Sequence, residues 1–218
     1  MSKMLRKNGR GFTLVELLVV IGIIAILAAL LFPAINGAML NGKVTNVASN
    51  GRQFAIALYA LNSDLEAAYK PLLFPIAADA TSTKAFARIC EQIPAITPAM
   101  FAGPGFATLA STNWAAFSSS NNVWSTSVLT DNSPSSAPLL ITRNVKPFGT
   151  GVNGLDTMTE VDGTLFKGLY FLTVARDGAI RKIPVGKGAT ASTTDAKADF
   201  YAQADSASMA GISVLGPE

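Results

Sequence analysis

The first 70 residues fall into three segments with different patterns of hydrophobic and polar positions. Residues 1–11 are polar, residues 12–35 are almost entirely apolar, and residues 36–70 are amphipathic. No charged residue lies between Leu17 and Phe32. As a helix, the 24 residues from 12 to 35 would be about 36 Å long, enough to cross a hydrocarbon core of about 30 Å. The pattern therefore predicts a membrane-spanning helix over residues 12–35.

The amphipathic segment continues the helical pattern beyond the apolar one. Its apolar positions recur at alternating steps of four and three, which predicts one apolar helix face reaching about Tyr69. That face consists of Leu40, Val44, Val47, Gly51, Phe54, Leu58, Leu61 and Leu65. Polar residues such as Asn62 are expected to lie off it, and Lys70-Pro71 ends the helix. This face could pack beneath a globular head, or it could form the interface of a coiled-coil dimer.

Residues 71–218 alternate short apolar runs with loop signals, as an α+β head would. Thr81–Ile93 is predicted to form a short helix with Ser82 as its N-cap. Val123–Thr130 and Pro138–Thr142 have the composition of strands.

The clearest local signal in this part of the chain is a hairpin. Two apolar runs, Gly168–Ala175 and Ala179–Ile183, flank Asp177-Gly178, a strong turn signal. Asp195–Ala210 is compatible with a further helix, and the tail after Gly211 is predicted to be mobile. We therefore expect an α+β fold in which an antiparallel sheet is laid across the second half of the long helix.

Charge separates the N-terminus from the body of the chain. Four basic residues precede residue 12 without any acid, so the net charge of +3 becomes −1 when they are left out. A near-neutral body does not indicate a nucleic-acid partner. Basic residues flank only the N-terminal side of the apolar segment, which predicts residues 1–11 in the cytoplasm and the remainder outside.

The chemistry available to the chain is limited. Histidine is absent, which excludes Ser-His-Asp and Cys-His catalysis and imidazole metal sites. Cys90 is the single cysteine and lies in an apolar pattern, so we expect a buried thiol and no intramolecular disulfide. The carboxylates form two loose groups, Asp156, Glu160 and Asp162, and Asp195, Asp199 and Asp205. We predict solvated carboxylates in both groups, no catalytic residue, no metal site and no cofactor, and hence not an enzyme.

Glu16 is the one residue that does not suit a plain membrane anchor. A carboxylate one turn into a spanning helix is costly, and near the bilayer centre the penalty would be about 2.5–3.5 kcal/mol. A secretory signal peptide has a shorter apolar core of about 7–15 residues and a small-x-small cleavage site. The end of the apolar segment here, Leu31-Phe32-Pro33-Ala34, fits such a site poorly.

The run Gly11-Phe12-Thr13-Leu14-Val15-Glu16, with a basic leader before it and about twenty apolar residues after it, resembles the leader of type IV prepilins and type II secretion pseudopilins. Pro33 matches a proline common near the end of that segment, and the resemblance covers about residues 6–40. It implies that prepilin peptidase cuts after Gly11 and methylates the new amine of Phe12. It also implies that Glu16 neutralises the Phe12 amine of a neighbouring subunit during filament assembly.

The resemblance gives each segment an expected role. Residues 1–11 would be the cytoplasmic leader, 12–35 the transmembrane and filament-core helix, 36–70 its amphipathic half, and 71–218 the extracytoplasmic head. The expected fold is pilin-like, and packing of the helix face beneath the head becomes the favoured arrangement. The protein would sit in the inner (cytoplasmic) membrane as a single-pass chain, with its head periplasmic or extracellular after assembly.

The expected partners are prepilin peptidase, other pilin or pseudopilin subunits, membrane lipid and the assembly platform of a pilus or secretion system. Many major pilins close a C-terminal loop with two cysteines, so a single cysteine tilts the prediction towards a pseudopilin. Some pseudopilins bind calcium in a C-terminal loop, but neither acidic group shows a ligand pattern.

Two features of the apolar helix have alternative interpretations. Pro33 can kink or locally open the helix, or can simply mark where it leaves the bilayer. Gly22 can contribute to that bend or can allow close helix packing.

A tethered binding module that carries a prepilin leader but does not polymerise is the alternative function.

Overall fold

A computed structural model describes residues 12–109, 112–143, 165–166, 170–184 and 214–215 of the chain. The chain divides into two units, Met1–Gly42 and Lys43–Glu218. Both acidic groups, the predicted helix over Asp195–Ala210 and Gly11 lie outside the described residues.

The first unit consists, in its described part, of the start of one long helix. Helix α1 spans Leu14–Ala67 and is 54 residues long. Every residue from 12 to 39 is exposed. The helix continues through Gly22 and Pro33, and no heavy atom lies within 4 Å of the position that a Cβ of Gly22 would occupy. A bend at these residues stays a prediction. By length and apolar composition α1 is able to cross a membrane, with a mean hydropathy of 3.0 over its most apolar window.

In the second unit, α1 buries one face as the sequence predicts. The buried residues of the helix are Val44, Val47, Ala48, Gly51, Phe54, Ala55, Leu58 and Asn62. Leu61 and Leu65 of the predicted face are half-buried. The placement of Asn62 off this face was wrong: its Nδ2 donates to the Leu73 carbonyl at 2.9 Å and its Oδ1 accepts the Leu73 N–H at 2.7 Å. Both ends of the amide are paired, so the side chain can be buried.

The end of α1 lies two residues before its predicted limit and has a specific backbone geometry. The Tyr69 N–H donates to the Glu66 carbonyl at 3.0 Å, and the Lys70 N–H donates to the Leu65 carbonyl at 2.9 Å. This pair of bonds is a Schellman motif, whose left-handed residue is usually glycine. Tyr69 occupies that position with φ 54°, a conformation that costs a side-chain-bearing residue about 1–2 kcal/mol.

The described residues of the second unit form a five-stranded antiparallel sheet, which confirms the α+β class. The strands are β1 (Trp124–Ser127), β2 (Pro138–Thr142), β3 (Tyr170–Ala175), β4 (Ile180–Pro184) and β5 (Val214–Leu215), in the spatial order β4-β3-β2-β1-β5. All neighbouring pairs are antiparallel. The first strand is shorter than predicted. The expectation of a mobile tail was wrong for Val214 and Leu215, which pair with β1.

The predicted hairpin is confirmed as β3 and β4. The Gly178 N–H donates to the Ala175 carbonyl at 2.9 Å, and the Ala175 N–H donates to the Ala179 carbonyl at 2.8 Å. Gly178 has φ 82°, which a glycine adopts without strain. Asp177 Oδ1 accepts the Ala179 N–H at 2.8 Å, so both residues of the turn signal have a defined structural role.

The predicted short helix is α2 (Ser82–Cys90), but its cap is not the expected one. Thr81 is the N-cap, and its Oγ1 accepts the Lys84 N–H at 3.2 Å. Ser82 lies inside the helix and its Oγ donates to the Trp124 carbonyl on β1 at 2.8 Å. Cys90 is buried as expected, and burial raises the pKa of its thiol, which leaves it uncharged at neutral pH.

An aromatic cluster joins α1 and α2 in the core of the second unit. The ring centroids of Phe54 and Phe86 are 5.4 Å apart, and those of Phe86 and Phe101 are 4.7 Å apart. Phe101 also contacts Trp114 and Phe117 edge to face, at 5.7 and 5.5 Å. Edge-to-face pairs add about 0.5–1.5 kcal/mol beyond their buried area. The cluster therefore anchors the irregular segment before β1 to both helices.

An ion pair holds the segment between α1 and α2. Arg88 Nε and Nη2 donate to the two carboxylate oxygens of Asp79 at 2.7 and 2.8 Å. Arg88 Nη2 also donates to the Phe74 carbonyl at 2.7 Å, and the Ile76 N–H donates to Asp79 Oδ2 at 2.9 Å. Burial acts to raise the pKa of Asp79, but the hydrogen bonds from Arg88 and Ile76 and the charge of Arg88 together lower it.

The lowered pKa of Asp79 predicts acid sensitivity of the fold. Its contribution to the free energy of unfolding is present in full above the ordinary value of 3.8 and is lost as the pH falls below it. Asp79→Asn should destabilise the fold by about 1–3 kcal/mol at neutral pH. It should also reduce the decrease in unfolding temperature that accompanies a falling pH. Thermal unfolding of detergent-solubilised protein between about pH 5 and pH 2 measures both effects. The prediction would be contradicted if the unfolding temperature fell as much between these pH values in Asp79→Asn as in the exposed control Asp131→Asn.

The close approach of α1 to the sheet depends on Gly51. A Cβ there would lie 2.8 Å from Trp124 Cζ2 and 3.0 Å from Val174 Cγ2, both on buried residues. Distances under about 3.4 Å leave no room for a methyl group between packed carbons.

Gly51→Val should therefore lower the stability of the second unit by about 1–3 kcal/mol through overpacking, despite the helix propensity that valine gains over glycine. Gly42→Val is the matched control, because no atom lies within 4 Å of its Cβ position. Thermal unfolding followed by the fluorescence of Trp114 and Trp124 measures the difference. Equal unfolding temperatures for the two variants would contradict the prediction, because they would show that the sheet can move away from the helix without loss of stability.

Candidate processing and assembly site

The start of α1 is built as a capping box by two residues of the predicted motif. Thr13 precedes the first helical residue, Leu14, and its Oγ1 accepts the Glu16 N–H at 3.2 Å. Glu16 Oε2 in turn accepts the Thr13 N–H at 2.9 Å. This reciprocal pairing satisfies two backbone donors that the first turn of a helix leaves without a partner. The Thr-x-x-Glu spacing that signals it was readable in the sequence and was missed.

The box also fixes the Glu16 carboxylate in space. The Thr13 hydroxyl donates to Glu16 Oε2 at 2.7 Å, so one carboxylate oxygen accepts two hydrogen bonds from Thr13. The carboxylate lies at the helix N-terminus, where the macrodipole favours negative charge. The structure thus supplies Glu16 with partners inside its own chain.

The predicted cleavage position is only partly described. Gly11 lies outside the described residues. Phe12 lies immediately before the capping box, and its side chain is 79% exposed. An amine created at Phe12 would adjoin the box directly, since Thr13 is the next residue.

The helix that follows exposes a continuous apolar surface. Its exposed large side chains between residues 12 and 35 are Phe12, Leu14, Val15, Leu17, Leu18, Val19, Val20, Ile21, Ile23, Ile24, Ile26, Leu27, Leu30, Leu31, Phe32 and Ile35. A surface of this extent is not stable in water and indicates contact with lipid or with other proteins. Gly22 and Pro33 lie within this surface, so either can contact whatever covers it.

Residues 6–32 match the sequence profile of the family described as "Prokaryotic N-terminal methylation motif". No curated protein and no solved structure matches the chain.

The matched segment is the prepilin-type cleavage and methylation motif of type IV pilins and pseudopilins. A long apolar N-terminal helix followed by an antiparallel sheet is the pilin-like α+β arrangement. The motif supports a processed protein of the pilin or pseudopilin type, a structural class that is generally not enzymatic. It implies processing by prepilin peptidase and assembly of the pilin type, and the long apolar helix fits a single-pass membrane anchor.

The second unit offers no comparable site for chemistry within the residues that are described. No three cysteine, aspartate or glutamate side chains in those ranges come together as metal ligands would. The buried acid, Asp79, is engaged by Arg88. The functional chemistry of the described chain is therefore concentrated at Phe12, Thr13 and Glu16.

Proposed function

We propose that the protein is a structural subunit, a pseudopilin or pilin, of a type II secretion or type IV pilus-like filament, and that prepilin peptidase processes it after Gly11. The observation that carries the proposal is the methylation motif at residues 6–32 on a helix whose apolar surface is exposed all round. Such a helix needs an apolar environment, which membrane lipid provides before assembly and neighbouring helices provide after it.

Glu16 gives this assembly a means of setting register. Cleavage would leave a cationic amine on Phe12, and a charge buried without a partner is costly, whereas an ion pair in a low-dielectric interior attracts strongly. The Glu16 carboxylate of a neighbouring subunit would neutralise the Phe12 amine. Only the axial position that brings the two together avoids an unpaired charge in the filament core.

Packing contacts would do the rest, because the helix leaves lipid for protein and gains little apolar transfer free energy. Gly22 would allow close helix approach, and Pro33 would let the helix bend or open locally. Before assembly the chain would lie in the inner membrane with its N-terminus in the cytoplasm, and its assembly platform would add it to the filament with the head outside.

A pseudopilin is favoured over a major pilin, because the single cysteine cannot close a C-terminal loop by a disulfide. The alternative function is a tethered extracytoplasmic binding module. One observation favours it: the capping box satisfies the Glu16 carboxylate within its own chain, so a monomer does not require a neighbour's amine.

Processing is tested by the mass of the mature N-terminus. We expect a chain that begins at Phe12 and carries one N-methyl group, because the peptidase of this class cuts after the glycine and methylates the new amine. Intact and N-terminal peptide mass spectrometry of membrane-extracted protein measures both. A mature chain that begins near Ala34, or that keeps its first eleven residues, would overturn the proposal.

Assembly is tested by separating the two roles of Glu16. Glu16→Gln keeps an acceptor oxygen for the Thr13 N–H, and thus the box, but removes the charge. We expect both Glu16→Gln and Glu16→Ala to lower the yield of sheared, pelleted filaments by at least about tenfold, because removing one partner of a buried ion pair costs about 3–5 kcal/mol.

The exposed Glu91→Gln serves as the control and should leave the filament yield unchanged. Normal yield from Glu16→Gln with loss in Glu16→Ala would assign Glu16 to the helix cap alone. Equal filament yields from the wild type and all variants would contradict a role of Glu16 in assembly, and the absence of filaments from all of them would favour the tethered binding module.

A further inference from the structure

A cleft lies beside the first residues of α1 that belong to the second unit. It has a volume of about 230 Å³ and lies between α1, which contributes Lys43, Asn46 and Asn50, and the loop of residues 102–104. Because these three polar residues follow one another at steps of three and four, they share one helix face. We call this feature the polar cleft. Pockets for drug-sized ligands measure about 300–1,000 Å³, so the polar cleft suits a smaller group.

The charge and the hydrogen-bonding groups of the polar cleft favour an anion. Among the described residues that line it, Lys43 carries the one charge and no carboxylate is present. Lys43 is exposed, and in the described part of the chain it forms no ion pair. Asn46 and Asn50 each add an amide group that can donate two hydrogen bonds. Ammonium and amide donors around one cleft suit the oxygens of a phosphate group.

The loop that forms the other wall of the polar cleft is held in place. A Cβ on Gly103 would lie 2.8 Å from Val123 Cγ1 and 3.2 Å from Val47 Cγ2, so the loop backbone packs closely against α1 and against the residue before β1. The Val123 N–H donates to the Phe101 carbonyl at 2.9 Å, and the Phe106 N–H donates to the Gly103 carbonyl at 3.0 Å. A site that is formed in advance loses little conformational entropy when a ligand binds.

The position of Lys43 along α1 indicates the source of such a phosphate. Lys43 follows Ile35, the last residue of the apolar segment, by eight positions, which is about 12 Å of helix. The headgroup layer on each side of a bilayer is about 5–8 Å thick. Helical side chains lean towards the helix N-terminus, and a lysine near the end of a spanning helix extends its ammonium to the headgroups. Met39, one turn before Lys43, is 57% exposed and continues the apolar surface. The Lys43 ammonium is therefore within reach of lipid phosphates.

We propose that the polar cleft binds the phosphate of a membrane phospholipid and prefers an anionic headgroup such as that of phosphatidylglycerol. The Lys43 ammonium pairs with the phosphate, and the amides of Asn46 and Asn50 donate to its remaining oxygens. A zwitterionic headgroup binds less well, because its own cation repels Lys43. The inference rests on the membrane placement in the proposed function and is independent of Glu16 and of filament formation. It gives the subunit a polar contact with the bilayer that is separate from the apolar helix.

Lipid retention tests the proposal. Full-length protein is reconstituted into vesicles of equal parts phosphatidylcholine and phosphatidylglycerol, released in mild detergent and analysed for bound lipid by native mass spectrometry. We expect the wild type to retain phosphatidylglycerol preferentially. Lys43→Gln should lower the retained fraction about fivefold, because a lysine near an anionic surface contributes about 1 kcal/mol. Lys84→Gln removes an exposed lysine of α2 outside the cleft and should leave retention unchanged. Equal retention by the two variants would overturn the proposal.

A second pair of variants separates a formed site from general attraction between charges. Asn46→Leu keeps the charge of Lys43 and should lower retention about threefold, because one hydrogen bond to the phosphate is lost. Gln53→Leu is the control, an exposed polar residue of α1 outside the cleft. If Asn46→Leu retained as much lipid as Gln53→Leu, surface charge alone would account for the binding and the proposed site would be wrong.

Competition distinguishes a lipid from a free anion. Inorganic phosphate in excess should not displace the lipid, because a headgroup held in the same bilayer has a high effective concentration. Displacement would assign the polar cleft to a soluble anion and refute the proposal. A wild-type chain that does not enter the vesicles would count against the membrane anchor of the proposed function and against this inference together. Insertion without any lipid preference would overturn this inference alone.

Discussion

Water cannot accommodate the surface that the first half of α1 presents, and this constraint governs the rest of the molecule. Apolar side chains cover the helix all round from Phe12 to Ile35, and the hydrophobic effect opposes their exposure in proportion to their area. The chain meets this constraint by length, since the helix is long enough to lie within a bilayer. In the proposed function, the same surface would contact lipid before assembly and neighbouring helices after it.

The two halves of α1 solve different packing problems with one continuous helix. Residues 17–35 are apolar on every side, as suits a helix surrounded by lipid or by like helices. Residues after Lys43 are amphipathic, and Gly51 lets the sheet approach so closely that Trp124 and Val174 occupy the space of a side chain. Exposed charge and apolar area on the remaining face are then available for contacts outside the chain.

The sequence made the periodic features predictable and left the non-local ones hidden. The buried face of α1 and the hairpin at Asp177-Gly178 depend on spacing and on turn chemistry, which are local. Burial of Asn62 depends on the backbone of Leu73, and the role of Ser82 depends on the Trp124 carbonyl forty-two residues away. No local pattern indicates such partners.

The candidate site divides in the same way. The motif identified Phe12 and Glu16 because their spacing is distinctive. The internal partner of Glu16 was equally visible as Thr-x-x-Glu, but the cost of a carboxylate in lipid pointed to a partner on another subunit. The proposed partner of Glu16 is the Phe12 amine of a neighbouring chain. The sequence of one chain does not show contacts between chains, so this pairing is suggested only by the resemblance to the prepilin family.

The left-handed backbone at Tyr69 has a consequence for the connection that follows α1. A tyrosine would not hold that conformation by its own preference, so the chain after it must impose the turn. The Asn62 side chain forms hydrogen bonds with the N–H and the carbonyl of Leu73, and Arg88 donates a hydrogen bond to the carbonyl of Phe74. Side chains from the helices before and after it therefore hold this connection in place. Its backbone amides should exchange slowly with solvent and proteases should cut it poorly, although several of its residues are exposed.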